Sequence, residues 1–293
     1  AGEVPATLGL LGKLVLLALV AGLLAQLGAS LGEGAVARIA YLVCFVALMG
    51  LAITSFINCF AAARLVLNRL VATMVTLIPP FLALTVARGT PVTAGLLHPA
   101  LMLVVNGAGL ITVTIAMPLL FASALIELVD TLGEHRRLEG LSSLLRQGSV
   151  WAVGISMAAF LGVAVVQNAA GRALDGVTFR TAKFVTGTFV PVVGKMFSDA
   201  TEMVFASVQL VAAGLGVVGL LAVLGVALFP LAKILLVVVC YRLAGALVAA
   251  VDGQLAGCLR GISSALSWLA VMVGVVSLMF LVCIAIMVGA ACP

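Results

Sequence analysis

Seven charged residues between positions 172 and 202 surround an apolar core of eleven, 184–194, and this stretch holds the residue types best able to do chemistry. Arg180 and Lys183 precede the core, Pro191 and Gly194 lie within it, and Lys195, Asp199 and Glu202 follow it. Eleven residues cannot cross the ~30 Å hydrocarbon core of a bilayer as a helix, which takes roughly 20. The core either enters and returns as a re-entrant hairpin or lies at the surface. Asp199 and Glu202, three apart, suit the first turn of a helix, where carboxylates face the N-terminal dipole. Lys195 and Asp199, four apart, pair if that helix begins earlier. The chemistry has two readings. In one, the charges form a solvated loop that caps the next span. In the other, Lys183, Lys195 and Asp199 line a water-filled path or contact a partner. A charge at membrane depth costs roughly 3 kcal/mol or more and persists where it faces a cavity or a partner. Arg242 obeys the same rule: it snorkels to an interface or pairs with an acidic residue inside a bundle.

No other set of residues points to a reaction. His98 and His135 stand far apart, neither with a second histidine or a cysteine at helical spacing. Cys44, Cys59, Cys240, Cys258, Cys283 and Cys292 form no CxxC pair and read as small hydrophobes. The sequence has no GxxxxGK[ST] or HExxH motif. No enzyme activity, catalytic residue, cofactor or metal site is expected, and an ATP-driven step needs a nucleotide-binding domain on another chain.

The elements that must position these residues are set by composition. Of 293 residues, 65% are hydrophobic and 9% charged, and the mean hydropathy is +1.37. A soluble domain is about half apolar and about a quarter charged. So few charges cannot cover a globule of this length, which excludes a soluble enzyme, a coiled coil, a disordered tail and a nucleic-acid-binding domain. The net charge of +5 is what positively biased loops leave. The expected class is an all-α, polytopic integral membrane protein whose first partner is the lipid bilayer and which binds no nucleic acid. The chain opens at Ala1 without Met, which reads as a processed or trimmed product, and 8–27 reads as a span and not a signal peptide. Further uncharged runs lie at about 38–64, 70–87, 90–126, 147–171, 203–232, 234–251 and 262–288, giving seven or eight spans. Proline-broken or re-entrant segments are expected at Pro79, Pro80, Pro118 and Pro230. Residues 132–145 place Leu138, Leu141 and Leu145 on one helical face, opposite Arg136, Arg137, Glu139 and Arg146, as an interfacial helix would.

The chain reads as one membrane domain, 1–293, with a candidate internal repeat. Pro79 and Pro191 are 112 residues apart, as are Pro118 and Pro230, and Trp151 and Trp268 are 117 apart. The copies would be 38–145 and 147–262, flanked by spans at 1–32 and 263–293. Duplicated halves with broken helices at matching positions are the pattern of secondary transporters. Gly253, Gly257 and Gly261 recur every four residues, as tight helix contacts do, and read as packing and not as an oligomer signal; a homo-oligomer stays open.

Several of these pieces have a familiar arrangement. Arg180-Thr-Ala-Lys-Phe184, Phe189-Val-Pro-Val-Val-Gly194 and Ser198-Asp-Ala200 together resemble the signature of the stage III sporulation protein AE family. Tyr41-Leu-Val-Cys44, Leu97-His-Pro99, the stretch 141–151, Phe229-Pro-Leu with Lys233-Ile, and Tyr241-Arg-Leu follow in the same order. The resemblance implies a polytopic protein of the mother-cell membrane around the forespore. It implies work beside the other stage III sporulation operon proteins, including an ATPase-like member, and beside stage II sporulation protein Q from the forespore side. It brings no catalytic residues. The function expected is a membrane-embedded channel or export-platform subunit of that complex. A self-contained secondary transporter of small solutes and a non-conducting scaffold are the alternatives.

Overall fold

The computed structural model describes residues 12, 16, 20, 35–87, 90–130, 138–189, 191–249 and 253–291, with 175–202 described by backbone alone. Among them there is no strand. The elements are α1 (Ala35–Ala87), α2 (Pro91–Ile111), a π-helical turn (Thr112–Ala116), α3 (Met117–Asp130), α4 (Glu139–Phe189), α5 (Pro191–Val248) and α6 (Gly253–Ala291). Pro91 and Pro191 begin α2 and α5, the position where a missing N–H leaves no helical bond unmade.

Five stretches are long and apolar enough to cross a membrane: Phe45–Ala87, Pro91–Asp130, Glu139–Gly171, Ala206–Val248 and Leu255–Gly289. The described residues thus carry five candidate spans where charge spacing suggests seven or eight, and 8–27 lies outside the described residues. The difference comes from merging. The runs 38–64 and 70–87 share α1, and 203–232 and 234–251 share α5. A lone arginine or lysine is a good helix former and does not end a helix. Arg64 and Arg69 accordingly sit on exposed sides of an unbroken α1.

The prolines behave unequally. Pro79 and Pro80 lie inside α1, and Pro230 lies inside α5. Pro118 comes two residues after the last residue of the π-helical turn, at the second position of α3. In α geometry its ring would strike the carbonyl of Thr114, and a wider turn relieves that contact. Thr112 and Thr114 also donate their hydroxyls to the carbonyls of Ala108 and Leu110, at 2.7 and 2.6 Å, a bond that bends helices. Pro79 and Pro191, which a repeat would equate, occupy a helix interior and a helix start.

The chain forms two compact units that cut across the 38–145 and 147–262 portions. One comprises Ala1–Val66, Ile115–Trp151 and Leu228–Gly274; the other comprises Leu67–Thr114, Ala152–Ala227 and Val275–Pro293. The first unit buries Leu48, Phe56, Tyr241, Leu259, Leu266 and Leu269. Phe121 stacks on Phe56 with ring centroids 5.7 Å apart and tilts against Phe60 at 5.0 Å. Cys59, Cys240 and Cys258 are free thiols in this interior, filling space as small apolar groups.

The second unit buries Leu67, Leu70, Met74, Ile78 and Phe81 along α1, a stripe at heptad-like spacing, together with Leu97, Leu101, Phe160 and Phe280. Glycines allow close helix contacts here. A Cβ added at Gly171 would lie 2.7 Å from the Thr93 Cα, and one at Gly216 would lie 2.4 Å from a methyl of Val288. The faces turned away from each core are apolar too: Leu103 is 74% exposed and Leu210 76%. Helices apolar all round, with only a stripe buried, are built for lipid.

Candidate polar site in the first unit

The polar site grows from the α3–α4 hairpin. Ala116, Ser123 and Asp130 follow one another at intervals of seven, as do Ser142, Ser149 and Ser156, and all six are buried. Seven residues are two turns, so each set forms a stripe of small or polar side chains on one face. The Ser123 hydroxyl donates to the carbonyl of Ser142, and the Ser149 hydroxyl to that of Ala116, both at 2.8 Å. The two bonds run in opposite directions between antiparallel helices. At the end of the hairpin the Leu138 N–H donates to Asp130 Oδ1 at 2.9 Å and caps α4. Ser149→Ala and Ser123→Ala are each expected to cost about 1 kcal/mol, the scale of hydrogen bonds between membrane helices. Thermal unfolding in detergent reads this out. A double variant no less stable than either single one would show that the two bonds are not separate.

The same hairpin sets a charge pair. Glu127, one turn before Asp130, meets Arg146, one turn beyond Ser142, in a salt bridge whose side chains are 25% and 22% exposed. Arg146 Nη1 also donates to the Ser264 hydroxyl at 3.5 Å, which ties α4 to α6. Gly261, one turn before Ser264, faces Glu127: a Cβ there would lie 3.5 Å from its Cγ, an ordinary van der Waals contact. A cavity of ≈ 430 Å³ surrounds this pair, lined by Glu127, Asp130, Glu139, Arg146 and Arg260 among others.

A second cavity, ≈ 650 Å³, lies between the last turns of α5 and the first turns of α6. On α6, Arg260, Ser264, Ser267 and Val271 recur at helical spacing along one face. On α5 and one residue past its end, Arg242, Gly245, Ala246 and Ala249 do the same. Arg242 Nη2 donates to the Ser267 hydroxyl at 3.4 Å, and Ser267 donates to the Ser263 carbonyl at 2.8 Å. Arg260 and Ser264 line both cavities.

The charged stretch at 172–202 falls elsewhere. Arg180 and Lys183 lie on the backbone of α4, and Pro191, Gly194, Lys195, Asp199 and Glu202 on that of α5, all in the second unit. Their side chains lie outside the described ones. The eleven residues 184–194 are divided between two long helices, and α5 begins at Pro191, so Asp199 and Glu202 stand in its third and fourth turns and not at its start. Residues 138–145 open α4 and do not form a separate surface helix. Leu138 and Leu141 are exposed, while Ser142 is buried. The small side chain wins the helix contact because it permits close approach. Of the residues expected to matter, Arg242 alone lines a described cavity; it does so with a serine partner and, among the described residues, without an acidic one. Glu127, Asp130, Arg260 and the serines of α6 escaped sequence reasoning. Their signal was present: after Arg260, serines at 263, 264 and 267 give an otherwise apolar span one polar face. Among the described residues, no three His, Cys, Asp or Glu side chains stand together to hold a metal ion.

Apolar helices that expose hydrophobic faces, enclosing a small polar interior, define a polytopic helical membrane protein. The model of the family described as Stage III sporulation protein AE (spore_III_AE) matches residues 1–291. The chain belongs to this family. It is 34% identical over 289 residues to stage III sporulation protein AE of Bacillus subtilis (strain 168), covering 98% of this chain and 72% of that protein. No solved structure matches.

Proposed function

We propose that the chain is a membrane-embedded channel or export-platform subunit of the sporulation complex between mother cell and forespore, seated in the mother-cell membrane around the forespore. The observation that carries this reading is the match of nearly the whole chain to a stage III sporulation family. The polar cavities of the first unit support it, since salt-bridged and serine-lined space among apolar helices is costly unless used. Its partners would be the other stage III sporulation operon proteins, including the ATPase-like member, and stage II sporulation protein Q. The charged stretch at 180–202 would serve as pathway lining or as contact to them.

A self-contained secondary transporter is favoured by one observation, the interrupted helix at Thr112–Pro118, since broken helices mark many transporter sites. Reconstitution into liposomes separates the two. Flux that appears only when operon partners are added is expected for the complex subunit. Saturable, gradient-dependent uptake by this chain alone would mean a transporter, and no flux in either case a scaffold. Lys183→Ala, Lys195→Ala and Asp199→Ala are expected to reduce flux and sporulation. Unchanged values would leave that stretch a solvated surface.

A further inference from the structure

We propose that the cavity between the C-terminal turns of α5 and the N-terminal turns of α6 binds a phosphate ester, gripped by Arg242 and Arg260. Its lining holds these two guanidiniums, three serines and Trp268, and no carboxylate. Each guanidinium carries five N–H donors. One on Arg242 goes to Ser267 and one on Arg260 to the Ala256 carbonyl, and the others are not engaged by any described residue. The neighbouring cavity, which Arg260 also lines, holds Glu127, Asp130 and Glu139, but among the described residues none of them forms a salt bridge with Arg242 or Arg260. Glu127 is held by Arg146, and Asp130 accepts from the Leu138 N–H. Two unpaired arginines on facing helices are costly beside lipid and become favourable when an anion joins them, because guanidinium–phosphate bonds are charge-assisted and bidentate.

The size and depth of the site narrow the ligand. A volume of ≈ 650 Å³ far exceeds a bare phosphate and suits a phosphate with an organic group, which Gly245, Ala246, Ala249 and Val271 would contact. Arg242 stands six residues before Val248 and Arg260 seven after Gly253, which puts both about 10 Å from a helix end. That is the level of an interface, and Trp268, eight residues beyond Arg260, lies about 12 Å deeper, within reach of acyl chains. An anionic phospholipid headgroup and a soluble phosphate ester share this chemistry. The inference does not depend on the chain conducting a solute.

Trp268 is a built-in reporter, and Trp151→Phe, a change at an exposed site, makes it the only tryptophan. The test places W151F protein in phosphatidylcholine vesicles and adds either phosphatidylglycerol or phosphatidylcholine brominated on the acyl chains. In the lipid case, brominated phosphatidylglycerol quenches Trp268 at about tenfold lower mole fraction than brominated phosphatidylcholine. Arg242→Gln with Arg260→Gln erases that preference. In the soluble case, glycerol 3-phosphate shifts Trp268 emission saturably, again only with both arginines present. Equal quenching by the two lipids with no response to glycerol 3-phosphate overturns the proposal in the W151F protein itself. So does any preference that survives loss of both arginines. If the double variant does not fold, Arg242→Gln alone is expected to weaken binding about tenfold, and unchanged binding is equally decisive.

Discussion

Arg146→Leu is expected to lower the unfolding temperature of the detergent-solubilised protein by several degrees, the largest loss from any single charge removal in the first unit. The substitution keeps helix propensity and removes the guanidinium that joins Glu127 on α3 to Ser264 on α6. Breaking a buried pair by removing one partner costs about 3–5 kcal/mol, because the remaining charge stays desolvated. Here each side chain keeps roughly a quarter of its exposure, so the loss should be nearer 2 kcal/mol. Glu127→Gln should cost less, since the amide oxygen still accepts from Arg146. The combined variant Glu127→Gln with Arg146→Leu should be more stable than additivity predicts, because both members of the pair are then removed together. Strictly additive losses would show that the two groups do not interact, and the polar site would lose its organising pair. A parallel drop in sporulation would link that pair to function.

Gly171→Ala should destabilise the second unit by about 2 kcal/mol or more, the scale of overpacking a tight contact. The new Cβ would stand 2.7 Å from both the Cα and the Oγ1 of Thr93. A backbone atom cannot rotate away, so α2 and α4 must separate at this point. Gly216→Ala is the control. Its Cβ would come closer, 2.4 Å, but to one methyl of Val288, which a change of rotamer can move. Distance alone ranks Gly216 as the worse site; the kind of atom reverses the order. Thermal unfolding of the two variants decides it. If Gly216→Ala proves the more damaging, the close approach of α2 and α4 at Thr93 is not what the geometry indicates.

Both predictions rest on residues that a linear reading treats as unremarkable. Gly171 was the end of an uncharged run, and Glu127 a single acid beyond another. By contrast, the charges that stood out, from Arg180 to Glu202, fall on the long helices α4 and α5, and only Arg242 reached a described cavity. Charge spacing separates apolar runs, and it counted more spans than the described helices contain. Arg64, Arg69 and Lys233 interrupt hydropathy without interrupting the backbone. Helix continuity depends on i to i−4 bonding, which an arginine side chain leaves intact, whereas lipid contact depends on the side chain itself. The prolines divide in the same way, since Pro118 comes two residues after a π-helical turn while Pro79, Pro80 and Pro230 lie within helices.

What the amino-acid sequence determined alone is the class: 65% hydrophobic and 9% charged residues call for a lipid environment, and continuous uncharged runs, unlike the alternating strands of a barrel, call for helices. The motifs around Arg180, Phe189 and Tyr241 also carried the family. Those are properties of composition and of short, contiguous words. The site is a property of proximity between distant words. Glu127 and Arg146 are 19 residues apart and Arg146 and Ser264 118 apart, and no local rule relates them. Folding brought them together because small residues, Ser123, Ser142 and Ser149, let the helices approach. The charges that accompany those contacts could then be held only by one another.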